Sequence, residues 1–277
     1  NTGGAYISSF DSDGFTVNAN SSGNASGQTY VGWNWKANGS GVSNTDGAIT
    51  STVSANTTAG FSIVSYTGTG SAATVGHGLN SAPEMIIVKN RDAAYHWATY
   101  HKDLTSAAYS VYLSLNYAQS TNSTVAKYWN STAPTSTVFS VGASNTYTNT
   151  ASNKQIAYCF HSVEGYSSIG KYTGNGSADG PFVYTGFRPA WLMIKKATGS
   201  VNANAGWILK DATRDIDNVV NANLQAESTG AEYTSGSEDF LSNGFKIRTN
   251  NIGQNTSGSE YIYMAFAENP FKNALAR

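Results

Sequence analysis

Three copies of one sequence pattern, the first of them incomplete, restrict this chain more than any other feature it has. Tyr66-Thr67-Gly68-Thr69-Gly70-Ser71 returns as Tyr172-Thr173-Gly174-Asn175-Gly176-Ser177, a step from 66 to 172, or 106 residues. Pro83, followed by Glu84-Met85-Ile86-Ile87-Val88-Lys89, returns at the same step as Pro189, followed by Ala190-Trp191-Leu192-Met193-Ile194-Lys195. Val138-Phe139-Ser140-Val141 and Phe160 return as Gly244-Phe245-Lys246-Ile247 and Phe266. One register held over separated landmarks marks tandem copies of a single unit.

A partial copy opens the chain. Gly14-Phe15-Thr16-Val17 corresponds to Gly244-Phe245-Lys246-Ile247, Asn24-Ala25-Ser26-Gly27 to Asn255-Thr256-Ser257-Gly258, and Tyr30-Val31-Gly32-Trp33-Asn34-Trp35 to Tyr261-Ile262-Tyr263-Met264-Ala265-Phe266. The pattern divides the chain into residues 1–36, the C-terminal half of a first repeat, residues 37–57, a linker rich in Gly, Ser, Asn and Thr, residues 58–166, a second repeat, and residues 167–277, a third. Half a β-domain cannot bury its sheet face alone. Residues 1–36 are therefore expected to need a partner, and the chain to be the C-terminal portion of a longer polypeptide. The simpler alternative is a hairpin added to copy 2.

Each copy reads as β structure. Seventeen Tyr, eleven Phe and six Trp stand beside three Met, and charged residues make up 12% of the chain, against roughly 25% in an average soluble protein. Aromatic and β-branched residues suit a pleated, half-buried surface. Short apolar runs separated by turn residues predict strands near 61–66, 84–89, 96–100, 110–116, 137–141 and 155–161 in copy 2. In copy 3 they predict strands near 169–172, 181–184, 190–195, 206–210, 244–248 and 260–267. Residues 102–108 and 210–220 are the places expected to hold a turn or two of helix. The fold class expected is all-β, with tandem jelly-roll, lectin-like β-sandwich domains.

A formal net charge of −1 leaves no basic stripe for a phosphate backbone, so nucleic acid is set aside. No apolar run approaches the ~18 residues of a membrane-spanning helix, so no membrane insertion is expected. One cysteine, Cys159, excludes an intrachain disulfide. Low charge with abundant Ser, Thr, Asn and Tyr suits an extracellular or virion setting.

Catalytic chemistry finds little footing. Glycoside hydrolysis needs paired carboxylates. Glu84 has Ala190 as its counterpart, and Glu238-Asp239, placed in a loop before Phe240, has none in copy 2. His77, His96, His101 and His161 read as surface or loop residues, because His96 and His101 would point to opposite faces of a strand. Cys159 and His161 would share a strand face, but Cys159 aligns with Ala265, which favours a small buried core position. Asp11-Ser12-Asp13-Gly14 begins like a calcium loop and lacks the remaining ligands, so an Asx-type turn is the simpler reading. The sequons at Asn24, Asn38, Asn130 and Asn175 are expected by chance at this composition. No catalytic residue, cofactor or metal site is therefore assigned, and no enzyme is expected. For ligand contact the candidates are aromatic. Trp129 leads because it has no counterpart in copy 3, followed by Tyr117 in loop-rich sequence. Trp97 and Trp207 occupy similar places in copies 2 and 3 and read equally as core anchors.

Ser9-Phe10-Asp11-Ser12-Asp13-Gly14-Phe15, Tyr30 to Trp35, Val75-Gly76-His77-Gly78-Leu79, Met85 to Arg91, Gly180 to Phe187 and Met264 to Phe271 resemble repeat-containing tail-fibre or virion-appendage proteins of aquatic, cyanophage-like tailed bacteriophages. The resemblance covers nearly the whole chain and implies concanavalin-like sandwich domains, a virion location and contact with host surfaces. It carries no catalytic residues, and the missing first half of copy 1 departs from it. The expectation is an appendage protein that binds host-surface polysaccharide and forms homo-oligomers or a fibrous assembly. The alternatives are a purely structural subunit of a fibre or viral particle, with residues 1–36 completing a neighbouring sheet, and a polysaccharide depolymerase.

Overall fold

A computed structural model describes residues 6–19, 23–121, 127–143, 145–202 and 205–270. The architecture is all-β, and no α-helix occurs among the described residues. The chain divides into two units, residues 1–36 and 37–277.

In the first unit, β1 (Ile7–Phe10) and β2 (Phe15–Val17) form an antiparallel hairpin with Phe10 opposite Phe15. Asp11 N–H donates to Gly14 O at 2.8 Å, and Thr16 Oγ1 donates to Asp11 Oδ2 at 2.8 Å. This is a self-bonded aspartate turn, with the carboxylate spent on its own hairpin.

The second unit begins with β3 (Val42–Asn44), β4 (Ser51–Asn56), β5 (Phe61–Thr67), β6 (Ala73–Gly76), β7 (Met85–Asn90), β8 (Ala98–His101), β9 (Val111–Tyr112), β10 (Val138–Val141) and β11 (Lys154–Phe160). They pair in the order β3-β4-β5-β11-β7-β8-β9, with β6 and β10 forming a separate ribbon. There follow β12 (Ser167–Thr173), β13 (Phe182–Tyr184), β14 (Pro189–Lys196), β15 (Trp207–Asp211), β16 (Val220–Gln225), β17 (Tyr233–Leu241), β18 (Gly244–Ile247) and β19 (Glu260–Ala267). These make one sheet, ordered β12-β19-β14-β15-β16-β17-β18-β13. It curls towards a closed barrel, which brings Phe245 edge-on to Tyr172 at 6.1 Å and to Tyr263 at 5.3 Å.

Pairing registers repeat with the sequence. Cys159 lies opposite Ser62 and Ile86, and Ala265, 106 residues on, lies opposite Ser168 and Leu192. Ile86 faces Tyr100 on its other side, and Leu192 faces Lys210. Phe139 pairs with Val75 as Phe245 pairs with Val183.

The recurring Tyr-Thr-Gly-x-Gly-Ser has a physical cause. Tyr66 donates its phenol to Thr148 O at 2.6 Å, and Tyr172 donates to Gln254 O at 2.7 Å. Asn149 accepts from Thr69 N–H at 2.8 Å and donates to Ser71 O at 2.6 Å; Asn255 treats Asn175 and Ser177 alike, both at 2.7 Å. A Cβ on Gly68 would stand 2.2 Å from Thr150 O, and one on Gly174 2.4 Å from Thr256 O. Gly70 and Gly176 hold φ of +74° and +72°, the left-handed region open to glycine. The motif is thus a turn clamped by a buried asparagine from the far end of its own repeat.

Copies 2 and 3 dock through polar bonds. Trp207 donates its indole N–H to Tyr112 O at 2.8 Å, buried Lys195 donates to Asn116 O at 2.8 Å, and Gln119 N–H donates to Ala197 O at 2.8 Å.

Two expectations are corrected. Residues 37–57 are not simply a linker: β3 and β4 lie within them, and β4 pairs along its whole length with β5. Alternate residues Ser51 and Val53 are buried there, so small side chains serve a strand where composition reads as loop. Residues 102–108 form turns, and 210–220 run from the end of β15 through a turn to the start of β16. Neither is helical.

Candidate functional site

Residues 23–36 have a local structure of their own. Ala25 N–H donates to the Tyr30 phenol at 2.9 Å, as Thr256 N–H donates to the Tyr261 phenol at 2.7 Å. Gln28 N–H donates to Ala25 O, as Ser259 N–H donates to Thr256 O. Gly27 and Gly258 share a positive φ, +75° and +74°. In the hairpin, Phe10 opposite Phe15 repeats Phe240 opposite Phe245. Copy 1 is therefore a preformed second half.

Its intended core lies open. Phe10 is 82% exposed and Phe15 39%, whereas Phe240 and Phe245 are fully buried. Tyr30 is 52% exposed, and Tyr261 is fully buried. In copy 3 the counterpart of Tyr30–Trp35 is the central strand β19, flanked by β12 and β14. Residues 28–32 carry no strand. The strands that flank the equivalent segment of copy 3, β12 and β14, come from the first half of that repeat. Phe10, Phe15 and Tyr30 are thus exposed at positions that copy 3 buries.

The four aromatic candidates separate. Trp129 is buried in the copy 2 core, edge-on to Tyr100 at 5.8 Å, which removes it as an exposed stacking platform. The register equivalent of Tyr100 in copy 3 is Lys210, whose Nζ lies 2.8 Å from the buried Glu238 carboxylate. Copy 3 fills that core position with an ion pair, so the absence of a matching tryptophan reflects a different core and not a ligand. Trp207 is buried where the copies dock. Trp97 is half-buried and stacks on Tyr158. Tyr117 alone of the four is exposed, at 57%. The structure brings none of the four together with another.

The histidine expectation is corrected as well: only His96 is exposed. His77 accepts Leu79 N–H on Nδ1 and turns Nε2 to Thr135 O, and burial lowers its pKa. His101 accepts Asp103 N–H on Nδ1 and donates from Nε2 to Tyr263 O of copy 3, and burial lowers its pKa to about 3. Both are neutral structural connectors, with ring nitrogens spent on backbone. His161 is also buried. Cys159 is a buried free thiol whose pKa burial raises to about 12.

Among the carboxylates, Glu84 accepts from Ser162 N–H and from its hydroxyl. Glu238 and Asp239 lie on β17 and not in a loop. Strand alternation sends Glu238 into the core with Lys210 and Gln254, and Asp239 outward to Arg248 at 2.5 Å. Burial raises the Glu238 pKa against the pull of Lys210. The two carboxylates face different ways and cannot flank one bond.

The residue that sequence reasoning left out is Glu238 as a core group, held by Lys210 and Gln254. Residues 1–270 match a family model described as a domain of unknown function (DUF7483). No curated protein and no solved structure matches the chain.

Proposed function

The chain belongs to the DUF7483 family, and from that premise we propose that it is a structural repeat module of an extracellular or virion appendage, in which residues 6–36 complete a β-domain together with a first-half segment of the same repeat type. The reading extends to copies 2 and 3 as tandem jelly-roll, lectin-like sandwiches. One observation carries it: Phe10 and Phe15 stand in solvent in a hairpin whose twin, Phe240 and Phe245, is fully buried. Burying a large apolar side chain stabilises by roughly 1.5–3 kcal/mol, so several such residues left open favour association.

The complement is defined by copy 3. It is a segment of the same repeat type, with strands equivalent to β12 and β14 to flank Tyr30–Trp35. Without it, the exposed face is expected to drive homo-association. Light scattering after size exclusion tests this. The full chain should self-associate with rising concentration, and a chain lacking residues 1–36 should stay monomeric with its β-sheet spectrum intact. Identical behaviour of the two would remove the proposal. The deletion stops at residue 36 because β3 and β4 belong to the copy 2 sheet.

A further inference from the structure

Copy 3 leaves open a sheet edge whose twin in copy 2 is covered. β13 has β18 on one side and, among the described residues, no strand on the other. We propose that this edge takes an extended, uncharged segment of a partner polypeptide, added as a further strand parallel to β13. The half-repeat plays no part in it.

Hydrogen bonds to β18 fix which backbone groups face outward. Ile247 N–H donates to Pro181 O and Thr185 N–H to Asn243 O, both at 3.0 Å, so residues 181, 183 and 185 turn their backbone to β18. Successive residues of an antiparallel strand face opposite sides. The N–H and C=O groups of Phe182 and Tyr184 therefore point to the open side. Pro181 belongs to the inward series and removes no donor from the edge. Val183 sends its side chain into the core, and the rings of Phe182 and Tyr184, on the other face, are 46% and 68% exposed.

Copy 2 shows what such an edge holds. Its β6–β10 ribbon pairs Thr74 with Ser140 and Gly76 with Val138, as β13 pairs Phe182 with Lys246 and Tyr184 with Gly244. Thr74 and Gly76 are thus the register equivalents of Phe182 and Tyr184. Thr74 O accepts Ile49 N–H at 2.9 Å, Thr74 Oγ1 accepts Ala48 N–H at 3.0 Å, and Gly76 O accepts the Ser51 hydroxyl at 2.9 Å. Ile49 bridges Val75 in the parallel sense. A Cβ on Gly76 would strike the Asn44 side chain, so this cover lies directly against β6. It comes from the segment that precedes copy 2. Residues 161–166, which precede copy 3, join β11 directly to β12 and supply no such cover.

The edge chemistry selects the occupant. Edges that stay unpaired are usually guarded by a charge or a proline at outward positions. β12, the other terminal strand of the sheet, is guarded: Lys171 pairs with Glu260 at 2.6 Å, and Ile169 N–H donates to Ser162 Oγ at 2.9 Å. β13 has two aromatic residues at its outward positions instead. Alternating backbone donors and acceptors are read by another backbone. Nearby charges are already matched, Lys246 with Asp179 at 2.8 Å and Arg248 with Asp239 at 2.5 Å, which favours an uncharged strand. The copy 2 cover, Ala48-Ile49-Thr50-Ser51, is of that kind. A second copy of this chain does not supply it, because its own residues 48–51 are held on its own β6.

The test is NMR titration of the full chain with a synthetic peptide of residues 47–57, the strand-forming part of the copy 2 cover. The amides of Phe182 and Tyr184 should shift, and those of β5 and β6 should not. Methylating the peptide's Ile49 nitrogen should weaken binding about tenfold, the loss of one hydrogen bond. Tyr184→Pro removes an outward N–H at an edge position that tolerates proline, and should weaken binding to a similar degree while the β19 amides keep their positions. The methylated peptide decides the matter if that variant unfolds. Tyr117→Ala should bind as the parent does. The assignment is overturned by absence of binding, by shifts confined to β5 and β6, or by undiminished binding with the methylated peptide or a folded Tyr184→Pro. It is equally overturned if the Phe182 and Tyr184 amides move with protein concentration alone, which would place a second copy on the edge.

Discussion

Asn149 and Asn255 show how single residues hold a repeat together. Each closes a turn about eighty residues earlier in the chain through both ends of its amide, which is why the Tyr-Thr-Gly-x-Gly-Ser wording survives between copies whose remaining sequences differ widely. His101 works at the same scale across the junction of copies 2 and 3. Its folded-state pKa is lowered by burial to about 3 from an ordinary 6.5, so the unfolded chain binds the proton more tightly. The stability it contributes is complete above pH 6.5 and is lost as pH falls from there towards 3; His77, also lowered, acts in the same sense. Denaturant unfolding should therefore show a steeper loss on acidification for the parent chain than for His101→Gln, whose amide can make both bonds without titrating. Superimposable pH profiles would rule this role out.

At the scale of elements, strands were legible wherever apolar or aromatic runs marked them: β5, β7, β11, β12, β14 and β19 fall where alternation and the repeat place them. What escaped was carried by other chemistry. β4 reads Ser-Thr-Val-Ser-Ala-Asn, and β17 buries a glutamate, so neither shows the hydrophobic signature on which period-2 reading depends. The ion pair that accommodates Glu238 comes from β15, far off in sequence, and no local pattern announces it. Trp129 failed as a ligand candidate for the converse reason: a lone tryptophan in loop-like sequence is drawn to the nearest core, here against Tyr100. Trp129→Ala should accordingly lower stability by about 3–5 kcal/mol in chemical denaturation, and leave any saccharide affinity of the folded protein unchanged. A stable variant with lost binding would reverse this assignment.

For the molecule as a whole, the chain comprises two related β-units sharing one pairing register, and residues 6–36 repeat the local geometry of the second half of that unit. The half-repeat was visible in sequence as matching words. Its hairpin and its Asn24–Tyr30 segment already have copy 3 geometry, with Phe10, Phe15 and Tyr30 turned to solvent, and no word of the sequence announces that exposure. The most direct measurement is amide hydrogen exchange at Tyr30–Gly32, compared between the chain as it stands and one in which residues 167–235 are fused ahead of residue 6. In the first, these amides should exchange freely while those of Tyr261–Tyr263 are strongly protected. In the second, both segments should be protected alike, as two copies of one central strand. Protection of Tyr30–Gly32 in the parent chain, or its absence in the fused one, would contradict the account.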